Sequence, residues 1–171
     1  TYTGVSFLNP NQILLSLKKN LDHSRLISEK TTSSYQQEFR KIAMDLAMAN
    51  SYEEWVELYN KLVHWELELE NIDDAGMLGI LESQKNEANN LFFKFVKKNY
   101  KDFLTATEKP TFSHTLLKDY VFKHLSKDRG TLLVVIDNLR LDQFRILEPF
   151  LNRHYKKEEE HSYFSILPTA T

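Results

Sequence analysis

Apolar residues along this chain recur first with helical spacing and only near the end with that of a strand. Residues 1–8 read as a short extended or irregular lead-in. Asn9-Pro10 marks a helix start, because proline suits the first helical turn. Ile13, Leu14 and Leu17 then share one face, with Leu21 one turn on. No glycine or proline follows until Gly76, so helical character should continue past Asp22. Residues 31–34 are its weakest point, since β-branched and hydroxyl side chains disfavour the helix. Phe39, Ile42, Ala43, Leu46 and Ala47 resume the stripe.

Ala49-Asn50 ends that segment. Ser51 and Glu54 have the spacing of a capping box, in which each side chain bonds the other residue's amide. Trp55, Leu58, Tyr59, Leu62 and Val63 follow at helical spacing, with Leu69 further on. Residues 71–74 form a polar break, and Asp74 is a good N-cap. A long helix is expected from about Ala75 to about Phe103, carrying Leu78, Leu81, Leu91, Phe92, Phe95 and Val96. Three long helices with short breaks predict an antiparallel three-helix bundle over residues 12–104.

The pattern changes after Leu104. Residues 105–111 read as a linker, and Ser113 can cap a helix bearing Leu116, Leu117, Tyr120, Val121 and Leu125. Gly130 precedes Thr131-Leu132-Leu133-Val134-Val135-Ile136, a short apolar run that fits a strand buried on both faces. A helix over about 141–155, a charged turn and a second strand over 162–167 complete a βαβ unit. The expected fold class is therefore mostly α: a three-helix bundle followed by the first βαβ unit of an α/β domain. One such unit is not a whole domain, so the α/β part is expected to be incomplete here.

Composition narrows the classes. With 171 residues, 42% hydrophobic and 27% charged, the chain fits a globular protein with a core of its own. A net charge of -2 gives no long-range pull toward nucleic acid or anionic lipid. The absence of cysteine excludes disulfides and thiolate zinc sites, and a cytoplasmic location is expected. No apolar run approaches the roughly 20 residues of a membrane span, so no membrane partner is expected.

Asp137 follows the first apolar run and Thr171 follows the second. On parallel strands both would reach the same sheet edge, where a carboxylate and a hydroxyl could hold a divalent metal. That metal could deprotonate the hydroxyl to give a nucleophile and shield phosphate oxygens. On spacing alone, Asp137 reads better as a turn residue capping the following helix, and Thr169 and Thr171 as loop residues.

Val135-Ile136-Asp137-Asn138-Leu139-Arg140-Leu141-Asp142 resembles the opening strand of the alkaline phosphatase superfamily, and Pro168-Thr169-Ala170-Thr171 its nucleophile segment. Together they are most similar to PglZ domains. The resemblance implies Thr171 as the metal-activated nucleophile and Asp137 and Thr171 as contacts of zinc, the expected cofactor. Asn9-Pro10-Asn11-Gln12-Ile13-Leu14-Leu15-Ser16 resembles the last helix of a receiver domain, although Ser6-Phe7 stands where receivers carry lysine-proline. The helical segment after it resembles the linker of PorX-like two-component response regulators with a PglZ domain.

This resemblance divides the chain into a receiver remnant (1–24), a helical linker (25–104) and the start of a PglZ domain (105–171). It implies hydrolysis of phosphodiesters, with oligonucleotides or other phosphodiesters as substrates, and control of type IX protein secretion. Its implied partners are a sensor histidine kinase, a sigma factor or secretion components, and a second copy in a homodimer. The receiver's phosphoacceptor and the remaining zinc ligands are not in the chain, so this segment alone is expected to be inactive.

Other candidates carry less. The histidines form no i, i+4 pair, and His64, His114 and His124 read as packed or surface groups. Glu158-Glu159-Glu160-His161 reads as a solvated charge run. Trp55 and Trp65 read as bundle core or interface, since no basic groove accompanies them as a base-stacking platform. The alternative from a different class is a non-catalytic helical relay or dimerisation module.

Overall fold

The computed structural model describes residues 19–21, 33–70, 72, 74–128 and 130–169. The readings made for the lead-in, the helix start at Asn9-Pro10 and the receiver-like segment lie almost wholly outside these residues. Four α-helices are described: α1 (33–48), α2 (Tyr52–Glu70), α3 (Ala75–Thr105) and α4 (Leu141–Leu151).

The first three helices end and begin where local chemistry dictates. Between α1 and α2, the Glu54 carboxylate accepts from the amides of Asn50 at 2.8 Å and Ser51 at 3.1 Å. The Ser51 hydroxyl accepts from the Glu54 amide at 3.2 Å, which completes the expected capping box. Between α2 and α3, Asp74 accepts from the amides of Gly76 and Met77, both at 3.1 Å. A Cβ at position 76 would stand 3.2 Å from that same Asp74 oxygen, so glycine lets the cap close tightly.

The helices run up, down and up around one core. Tyr35, early in α1, packs against Trp65, late in α2, with ring centroids 5.2 Å apart. Trp55, early in α2, meets Phe92 and Phe95, late in α3, at 5.3 and 5.9 Å. Ile42, Leu46, Leu58, Leu62, Leu69 and Leu81 fill the space between them. Both tryptophans are buried, as the pattern predicts. Tyr59 and Leu78, placed on the stripes by spacing, are exposed instead, and buried Tyr35 was not on any predicted stripe. Tyr35 is in phase with Ile42, one heptad on, and with Leu46, about three helical turns on, and extends the same buried face toward the start of α1.

The α/β expectation is not met among the described residues. Residues 131–136 form no strand and no β-bridge with any other described segment, with Leu132 85% and Val135 79% exposed. Residues 162–167 contribute only one parallel bridge, from Phe164 to Phe112. A parallel pair apolar on both faces is held by layers on each side, and two strands alone bury too little. Phe164 has another place to go: its ring stacks on Phe92 of α3 at 6.0 Å and lies 6.4 Å from Phe112.

The flanking helices also differ from expectation. Instead of a regular helix after Ser113, the chain makes a π-turn at Leu117–Val121 and a 3-10 turn at Phe122–His124, none of it buried. With no core to pack against, an apolar stripe cannot stabilise a longer helix. α4 stops at Leu151, two residues beyond Pro149, and turns carry the chain through residues 152–154.

Candidate functional site

Asp137 sits at the end of the apolar run, in a turn that feeds α4. Its carboxylate is exposed and accepts from the amide of Asn138 at 3.0 Å. Asn138 has φ of 57°, a left-handed conformation that asparagine tolerates better than most residues. The turn reading of Asp137 thus has a direct structural counterpart. The aspartate does not cap α4, because the Gln143 side chain reaches back to the Arg140 amide at 3.1 Å.

The other members of the same motif form an ion pair. The Arg140 Nε donates to Asp142 Oδ1 at 2.9 Å and a terminal nitrogen bonds the second oxygen. This fork of hydrogen bonds pulls the Asp142 carboxyl down to about 2. Asp142 is thereby committed to Arg140 and held as a carboxylate.

Thr171 lies outside the described residues, so its position relative to Asp137 is not part of this structure. The strand ends that would bring the two together are not paired, as described above. Among the described residues no three His, Asp or Glu side chains converge where a metal ion would sit. A zinc site takes three or four protein ligands. One exposed carboxylate does not supply them, and no reaction step is assigned to the described residues.

Two clusters tie the C-terminal part of the chain to the bundle. In the first, Arg145 of α4 donates to Asn60 Oδ1 of α2 at 3.2 Å, to Glu148 at 3.0 Å and to Glu160. Lys157 bonds the same two glutamates. The Arg145 hydrogen bonds, followed by those of Lys157, hold the Glu160 carboxyl down at about 2. Asn60, His64, Leu67, Glu68 and Arg145 line a shallow cleft between α2 and α4.

The second cluster lies at the far end of α3. The Tyr100 hydroxyl accepts from the Leu167 amide at 2.6 Å and faces the Leu167 carbonyl at 3.3 Å. Ser113 Oγ, instead of capping a helix, accepts from the Ile166 amide at 3.2 Å. The Ser113 amide donates to the Phe164 carbonyl, and the Phe164 amide to the Thr111 carbonyl, both at 2.9 Å. Of these contacts only Arg145–Glu148 and Lys157–Glu160, each three residues apart, are close in sequence; the others join residues nine or more apart that no spacing rule connects.

His64, His114 and His124 are exposed. His161 stacks on Tyr120 at 4.2 Å and bonds Glu159 at 2.9 Å, which makes it a surface contact within the charged run. No helix among the described residues is long and apolar enough to cross a membrane.

Comparison with known proteins gives one finding. Residues 25–104 match the family model of the PorX response regulator linker domain. The matched stretch takes in α1, α2 and nearly all of α3. No curated protein matches the chain.

Proposed function

We propose that this chain is the linker and the beginning of the effector domain of a PorX-like response regulator. In that arrangement the helical bundle joins a receiver to a PglZ domain. The observation that carries the reading is the linker match over residues 25–104, with the Asp137 and Thr171 motifs following it in the order the resemblance requires. A kinase partner follows in general terms from the response-regulator family. Control of type IX secretion, a sigma-factor or secretion partner, homodimerisation and a cytoplasmic location belong to the same proposal.

The effector is read as a zinc-dependent phosphodiesterase, with Asp137 as a zinc ligand and Thr171 as the nucleophile. When bound, zinc would supply Lewis-acid charge at the phosphoryl oxygens and a deprotonated nucleophile. The full-length gene product should hydrolyse a chromogenic phosphodiester with zinc present. Asp137→Ala and Thr171→Ala should each abolish that turnover. An inactive full-length protein, or variants as active as wild type, would overturn the enzymatic reading.

A non-catalytic relay is the second reading, and the Arg145 and Tyr100 clusters favour it. Both connect the bundle to the C-terminal segment without any need for metal. An unchanged secretion phenotype in the Asp137→Ala and Thr171→Ala strains would support the relay over the enzyme.

A further inference from the structure

We infer that Tyr100 is the positioning residue through which α3 sets the backbone of the segment leading to Thr171. The inference rests on the proposed role of Thr171, but the contact itself stands on its own geometry. Leu167 precedes Thr171 by only a few residues. Its peptide groups are addressed from both sides by one hydroxyl, at 2.6 Å to the amide and 3.3 Å to the carbonyl. Tyrosine can do this because its hydroxyl both accepts and donates. A single oxygen bonded to both polar groups of one residue fixes where that residue sits and how it is turned.

Tyr100 is backed by aromatic contacts. Its ring meets Phe112 edge-on at 6.0 Å, and about two turns earlier on α3 Phe92 stacks on Phe164. Phe112 is buried, and Ser113 beside it holds Ile166 and Phe164 by their backbones. The segment is therefore held at Phe164, Ile166 and Leu167 by α3 and by the stretch that follows α3.

The grip is also open to water. Tyr100 and Leu167 bond at the surface, where a hydrogen bond competes with solvent and contributes little net stability. Such a contact can be lost without unfolding the bundle, since the buried core lies elsewhere along the helices. A small movement of α3 would then release Leu167 and shift whatever follows it. Of the contacts α3 makes with this segment among the described residues, the Tyr100 hydroxyl is the one that bonds its backbone nearest to Thr171.

Hydrogen exchange on the 171-residue chain tests the contact without any assay of activity. In wild type the Leu167 amide should exchange more slowly than an unstructured amide. Tyr100→Phe keeps the ring and removes the hydroxyl, and should speed Leu167 exchange roughly tenfold while amides in α2 keep their protection. Ser113→Ala should act on the Ile166 amide instead. No protection of Leu167 in wild type, or equal protection in Tyr100→Phe, overturns the inference.

In the full-length protein, Tyr100→Phe should lower kcat and leave KM unchanged, as expected for a residue that places the nucleophile and does not bind substrate. Unaltered kcat would overturn the positioning role. A wild-type protein with no turnover would overturn the phosphodiesterase reading, and the Leu167 exchange result would still decide the contact.

Discussion

The Tyr35 hydroxyl donates to Gln84 Oε1 at 2.8 Å across the buried interface of α1 and α3. The Gln84 amide in turn donates to the Phe39 carbonyl at 3.0 Å. Gln84 is the one buried polar side chain among the described residues, 4% exposed, and the bond is its link to a fully buried tyrosine. α1 and α3 run parallel without being consecutive, so apolar packing alone would tolerate small slips between them. A directional bond between two buried groups selects one register.

Gln84→Leu should therefore destabilise the bundle by about 1–3 kcal/mol, because it strands the Tyr35 hydroxyl away from water. Tyr35→Phe should cost less, since Gln84 keeps its bond to Phe39. The double variant should recover part of the Gln84→Leu loss. Urea denaturation of the four proteins measures this. Additive losses would show that the two residues do not act together.

Burial also pushes the Tyr35 hydroxyl up to about 12. The folded state thus keeps its proton at a pH where the unfolded chain loses it, near 10. Stability from this group is fully present below pH 10 and is lost as pH rises toward 12. The loss should be on the order of 2 kcal/mol. Tyr35→Phe should flatten the stability profile between those values, relative to wild type.

Leu58 is 2% exposed at the centre of α2. Leu58→Asp would place an unpaired carboxylate among apolar side chains. A loss of about 3–5 kcal/mol and a marked fall in Tm are expected, enough to unfold a bundle of ordinary stability. An unchanged Tm would remove Leu58 from the core.

Arg145 joins α4 to α2 through Asn60 and gathers Glu148 and Glu160 around it. Arg145→Ala should quicken hydrogen exchange in α4 while leaving α2 protection in place. Glu160, held down at about 2, contributes stability above its ordinary range near pH 4.5, and the contribution is lost as pH falls toward 2. Detachment of α4 on acidification should be seen in wild type and should occur with a weaker pH dependence in Glu160→Gln. Identical α4 exchange in wild type and Arg145→Ala would show that the cluster does not hold the helix.

Much of the bundle is local, and what is local was legible in the sequence. The Ser51–Glu54 box and the Asp74 cap act within a few residues, so residue type and spacing determine them. The helical stripes follow from the 3.6-residue period, which placed Trp55, Leu58 and Leu81 in the core. The apolar run at 131–136 and the Asp137 motif could also be read from composition and order. That reading described what those residues suit, and pairing is a separate matter.

Tertiary structure alone decided the rest. Gln84 looks like any helix-surface glutamine until Tyr35 and Phe39 meet it from another helix. Tyr100 and Leu167 are 67 residues apart, and no spacing rule connects them. The second expected strand found its partners outside the expected βαβ unit. Phe164 bridges Phe112 by its backbone and rests its ring on Phe92 and Phe112, so its partners are α3 and the stretch after it and not residues 131–136. Periodicity reports which face of an element is apolar; which surface covers that face depends on every other element competing for it.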